Sequence, residues 1–174
     1  MYGYLQTEAQ LLNWVRSTLR KAWTKHPTKL VLLQKNQKLL PSSKSSRMVI
    51  HNQCAHCLKW HRPDNVEVNH KKTVGKLTRE NLGEFVQNLF FVTNDDLEIL
   101  CKPCHAIVTL SERQGLSLED AAIEKKVIAF TKHPAAVQKE KLAKVGIVPG
   151  KTGIERRAQA REFIANAVKN RKPK

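Results

Sequence analysis

No apolar run in these 174 residues approaches the roughly 18 that a membrane-spanning helix needs. The opening stretch, MYGYLQTEAQLLNWVR, has no charge before Glu8 and no uninterrupted apolar core, so it lacks the form of a secretory signal. Both absences lead to the expectation of a soluble, cytoplasmic protein with no membrane partner. No internal repeat is visible, and the length admits one compact domain with extensions but not several large cores. Acidic residues are scarce, 15 Asp and Glu against 31 Lys and Arg, giving a formal charge of +16. That imbalance suits a polyanionic partner, because each phosphate neutralised by a cationic side chain releases condensed counterions. Nucleic acid is the first candidate.

The charge is unevenly spread. Residues 1–50 carry nine Lys and Arg against one acid, 51–110 seven against seven, and 111–174 fifteen against seven. A neutral centre between basic flanks is expected. In the first flank, Thr7 and Gln10 have the spacing of a capping box, and Leu12, Val15, Leu19 and Trp23 recur at helical intervals, so a helix is expected over about 8–25. A short helical run from Thr28 to Gln34 gives way to KNQKLLPSSKSSR, whose Ser, Lys and Pro content reads as a linker. Residues 1–47 are therefore expected to be a basic helical arm with its linker. The centre, 48–115, offers short strands at MVIHNQ, NVEV and LEIL, with helices over 78–91 and about 103–113, stopped at Gly115. Residues 116–174 read as three further helices, Ser117 to Phe130, Pro134 to Val145, and a basic one from Ile154 to about Asn170.

All four cysteines fall into two C-x-x-C pairs, Cys54/Cys57 and Cys101/Cys104, and none is left over. In a reducing compartment, two such knuckles present four thiolates to one tetrahedral structural Zn²⁺, which staples a small core. Disulfides or free thiols would not account for the paired spacing, and a redox C-x-x-C would need a βαβ setting that is missing. His56 and His61 lie beside the first knuckle as competing ligands, less suited than the four sulfurs. Two further histidines sit at fixed offsets from this frame: His70 closes the strand NVEV, and His105 directly follows Cys104.

The order C-x-x-C, then EVNH, then DLEILCKPCHAIVT resembles the HNH, or ββα-metal, endonucleases, whose usual pattern reads V-D-H, then N-L-x-x-L-C-x-x-C-H-x-x-K-T. The match covers about residues 48–112. The lead-in LLNWVRSTLRKAWTKHP with LVLLQK, and the helix TRENLGEFVQNLFF, also look like those of small bacteriophage HNH proteins, some of them homing endonucleases. The resemblance implies an α+β fold, a zinc-stapled ββα-metal core flanked by basic α-helical N- and C-terminal arms. It implies a metal-dependent enzyme that hydrolyses phosphodiester bonds of double-stranded DNA, by nicking or double-strand cleavage. For a bacteriophage protein, the compartment would be the host cytoplasm. His70 would be the general base, and His105 with Asn69 would hold a catalytic Mg²⁺ or Mn²⁺. Asp96 would take the family's central Asn position.

Three positions depart from the family pattern. Asn69 stands where Asp is usual, Asp96 where Asn is usual, and Val108 where Lys is usual. An amide oxygen can bind Mg²⁺ but lacks the anion, and Glu67, two residues earlier on the same strand face, is a candidate source of that charge. Arg16, Arg20 and Lys21 on the first helix, Lys71 and Lys72 after the base, and Arg156, Arg157 and Arg161 on the last helix are candidate DNA contacts; a solvated polar face is the plainer reading of each. The stretch from Gly146 to Thr152 is one residue short of a phosphate-binding loop and follows a helix instead of a strand. Two other functions stay open: a non-catalytic zinc-ribbon DNA-binding protein with a degenerate site, and a nuclease that resolves branched DNA.

Overall fold

The computed structural model describes residues 7–42 and 47–170. The chain is mixed α and β and divides into two compact units, residues 1–105 and 106–174. Among the described residues no helix is long and apolar enough to cross a membrane.

The first unit opens with α1 (Glu8–Trp23), closed at its N-terminus by the expected box: Thr7 Oγ1 accepts from Gln10 N–H, and the Gln10 side chain accepts from Thr7 N–H. Its apolar stripe does not wait for a partner. Trp23 is buried with Val66, Val68, Leu77, Phe85, Leu89, Leu97 and Ile99, and Leu12, Val15 and Leu19 pack against that cluster. The division of 1–47 from the core is thereby corrected, since a stripe three turns long has its own place in the core and α1 belongs to the first unit.

After α2 (Pro27–Lys35) the expected linker gives way to a strand. β1 (Gln37–Pro41) pairs antiparallel with β2 (Met48–Gln53), Leu39 opposite Ile50, and Ser42 N–H donates to the Arg47 carbonyl at 2.9 Å. Residues 43–46 of that linker lie outside the described residues. Leu39, Met48 and Ile50 remain exposed, so backbone pairing, not burial, holds this hairpin. A two-residue strand, β3 (Trp60–His61), extends the sheet beside β2.

The part that positions the site is smaller. β4 (Val66–His70) runs antiparallel to β5 (Leu97–Cys101), and β5 passes without a loop into α4 (Lys102–Gln114). Between the strands lies α3 (Leu82–Phe90), which starts four residues later than the periodicity predicts. Asn81 explains the delay: its Oδ1 accepts from Thr78 N–H and its Nδ2 donates to the Lys76 carbonyl, tying 76–81 into a turn.

In the second unit, α5 (Leu118–Thr131), α6 (Ala135–Ala143) and α7 (Gly153–Lys169) lie where the stop signals put them. Gly115 and Gly146 both take positive φ after helix ends, where a side chain would be strained. α5 and α7 pack together, burying Ala121, Ile123, Val127 and Ala160.

Candidate metal centre and active site

The first knuckle leaves β2 through a tight turn in which Cys54 N–H donates to Lys59 O and Leu58, at φ +59°, donates to Cys54 O. Ala55 N–H donates to Ile99 O at 2.8 Å, which ties this turn to β5 and brings it to the second knuckle. All four sulfurs then lie within 4.8 Å of one another. A tetrahedral zinc with bonds near 2.3 Å requires S···S edges of about 3.8 Å, and Cys57 Sγ lies 3.9 Å from Cys101 Sγ. Burial alone would push the Cys54 thiol up, but backbone N–H groups of Cys57, Cys101 and His56 bring it down to about 6, while burial raises Cys101 and Cys104. One thiolate is welcome there and four are not without a cation, so the donor set fits Zn²⁺. Neither neighbouring histidine displaces a cysteine: His61 Nε2 stands 3.6 Å from Cys57 Sγ, and His56 turns to Glu98.

Strand alternation sorts the remaining residues. Val66, Val68 and His70 share the face of β4 that meets the core, while Glu67 and Asn69 share the other. On that second face, His105 Nδ1 contacts the Glu67 carboxylate. A carboxylate only accepts, so Nδ1 carries a proton, and in the neutral ring the lone pair is on Nε2. Asn69 is directly opposite Glu98 and donates from Nδ2 to Glu98 Oε1 at 3.1 Å, which leaves its Oδ1 as a free oxygen donor. Glu98 is itself held by His56 Nε2 at 3.4 Å. Each of the two expected metal donors is thus oriented by a glutamate. Glu98 was not among the expected site residues; the cross-strand register that sets it opposite Asn69 is the signal that would have found it.

His70 lies apart from this pair. Its Nε2 donates to the Leu89 carbonyl at 3.1 Å, and the Trp23 ring lies against it with centroids 4.4 Å apart. Burial lowers its pKa, opposed by the Leu89 hydrogen bond and joined by the nearby Arg20 charge. The ring is therefore neutral near pH 7, and its tautomer puts the acceptor on Nδ1. His70 lines a pocket of about 440 Å³ with Lys72, Gln87, Asn88, Phe91, Val92 and Asp96. The Asp96 carboxylate is engaged locally, accepting from Thr93 N–H at 2.8 Å and Thr93 Oγ1 at 2.7 Å, which holds its pKa down. The Asp96 carbonyl in turn receives Lys71 N–H, and Lys71 Nζ donates to Asp95 O. Asp96 thus shapes the end of the β4–β5 pair.

The expected DNA contacts divide. Arg16, Arg20, Lys21, Lys71 and Lys72 are exposed. Arg156 is buried, with Nε donating to Gln138 Oε1 and Nη1 to the carbonyls of Gly150 and Lys151, so its place as a surface contact is corrected: its charge is spent on backbone dipoles inside the second unit. Arg157 and Arg161 are half-exposed and both grip the buried Glu124 carboxylate.

Compared with family models, curated proteins and solved structures, the chain matches none.

Proposed function

We propose that this chain is a metal-dependent DNA endonuclease of the ββα-metal type, stapled by a structural zinc. One observation carries the reading: the antiparallel pair β4–β5 runs straight into α4, with Asn69 Oδ1 and His105 Nε2 each left as a donor by a glutamate partner, and His70, which follows Asn69 on the other face of β4, with a fixed tautomer. Oxygen and imidazole donors suit Mg²⁺ or Mn²⁺, and Asn69 and His105 would hold it. Such an ion supplies positive charge to the phosphate and to the departing 3′ oxygen.

The chain's own residues do the rest. His70 Nδ1 takes a proton from water as the water oxygen attacks phosphorus; the P–O3′ bond breaks, and the ends are a 5′-phosphate and a 3′-hydroxyl that takes its proton from solvent. The Leu89 carbonyl steadies the resulting imidazolium, and the Trp23 ring packs against it. Arg20, near His70, and Lys72, in the pocket wall, offer cations to flanking phosphates. Glu67 and Glu98 act through His105 and Asn69, and their charge offsets the missing carboxylate at position 69.

The test is supercoiled plasmid incubated with Mg²⁺ or Mn²⁺. His70→Ala is expected to lower the cleavage rate by about 10²–10⁴, the usual worth of a positioned base, with zinc content and DNA binding unchanged. Equal rates for the two proteins would remove His70 from the mechanism. A second reading, a zinc-ribbon DNA-binding protein without catalysis, draws on the separation of His70 and the Glu67–His105 pair onto opposite faces of β4; no cleavage by wild type under any divalent ion would favour it.

A further inference from the structure

The connection from α6 to α7 is built more tightly than a surface loop needs. Arg156 donates to the carbonyls of Gly150 and Lys151 at 3.0 and 2.8 Å, and its Nε is held by Gln138, which also donates to Thr131 O and His133 O. Gln159 reaches the same loop twice, accepting from Gly150 N–H and donating to Val148 O. Gly150 packs so closely that an added Cβ would stand 2.4 Å from Glu155 Cβ, so only hydrogen fits. A box formed by Thr152 and Glu155 then closes the start of α7.

This frame presents apolar side chains that the unit itself does not bury. Val148 is 86% exposed and Ile154 84%, and Ala158, one turn after Ile154, is exposed as well. Lys144, exposed and paired with Glu140, and Lys151 bracket the turn, and Arg157 and Arg161, about half exposed while both hold Glu124, rise from the same helix. Exposed apolar groups on a fixed turn, in a unit with fifteen Lys and Arg against seven acids, suit the surface of duplex DNA. An apolar protein partner would not call for that charge.

We infer that the α6–α7 turn and the outward side of the first turns of α7 form a sequence-reading surface for duplex DNA. A helix fits the major groove, where apolar side chains discriminate thymine by its C5-methyl group. Val148 and Ile154 make those contacts, the lysines and the exposed edges of Arg157 and Arg161 meet phosphates, and Arg156, with Gln138 and Gln159, holds the turn for them. This inference rests on the DNA partner of the proposed function but not on its chemistry.

The experiment is repeated selection of the full chain on a library of random duplexes, with Ca²⁺ in place of Mg²⁺. Wild type is expected to enrich one sequence. Val148→Ser/Ile154→Ser changes only exposed side chains; it should keep the wild-type melting temperature and bind unselected DNA within about two-fold of wild type, but lose about ten-fold or more of its preference for the enriched sequence. Enrichment of the same sequence by the double variant would overturn the inference, as would no enrichment by wild type. A shift of the variant from dimer to monomer in sedimentation, with enrichment intact, would assign the patch to a second copy instead and likewise overturn it. A chain that enriches a sequence yet never cuts plasmid fails as a nuclease while keeping this surface.

Discussion

In residues 1–105 two distant turns are joined through four sulfurs, whereas in residues 106–174 one turn is pinned by a buried guanidinium and two glutamines. Both solve the same problem, fixing irregular backbone in a small unit with a limited apolar core. With zinc in the cluster, the first solution would depend on an ion that chelators can remove; the second is carried entirely by the chain. Order around the four-cysteine cluster would then be conditional on the ion, and order around the α6–α7 turn is not.

The largest effect should come from removing zinc. Structural sites of this kind hold their ion with apparent energies of about 10–16 kcal/mol, so chelation or Cys101→Ser should unfold the first unit while the helical signal of α5–α7 persists. Elemental analysis should find one zinc per chain; a stripped protein with an unchanged melt would end the comparison. Next comes the converse. Arg156→Met strands the buried Gln138 oxygen and two partly buried carbonyls, which should cost about 1–3 kcal/mol and speed hydrogen exchange in α6 and α7 with the metal content intact. Loss of zinc in this variant would show that the two units do not rely on independent devices. The smallest effect belongs to Asn69→Asp. Titration calorimetry should find tighter Mg²⁺ or Mn²⁺ binding if residue 69 is a ligand. Without metal, the new carboxylate opposite Glu98 should destabilise by roughly 0.2–1 kcal/mol, as like charges across a strand pair do. Unchanged metal affinity would take residue 69 out of the coordination sphere.

Much of this was legible before any coordinates. The C-x-x-C spacing announced the four-sulfur cluster because short knuckles leave thiolates few other arrangements, and Thr7, Gly115, Ser117 and Gly146 marked helix ends through capping chemistry that is local. What escaped was non-local. β1 owes its existence to pairing with β2 and not to its own composition, so QKLLP read as linker. Arg156 looked like Arg157 and Arg161, since nothing in a string of residues says which side of α7 meets Gln138. Glu98 and Glu67 became visible as partners of Asn69 and His105 only once the register and the start of α4 were known.

Cys104 and His105 are consecutive on the first turn of α4, separated by a rise of about 1.5 Å along its axis. With zinc held by the four sulfurs, the helix would behave as a ruler whose zero mark is the ion. Whatever moves the ion moves the imidazole by a comparable amount, with no flexible joint to absorb the error. Replacing zinc by a larger soft cation such as Cd²⁺ would keep the staple but shift the graduation, so a protein that stays folded could still lose its alignment. Fidelity of assembly and accuracy of aim are separate demands, and in the proposed nuclease one small ion would answer both.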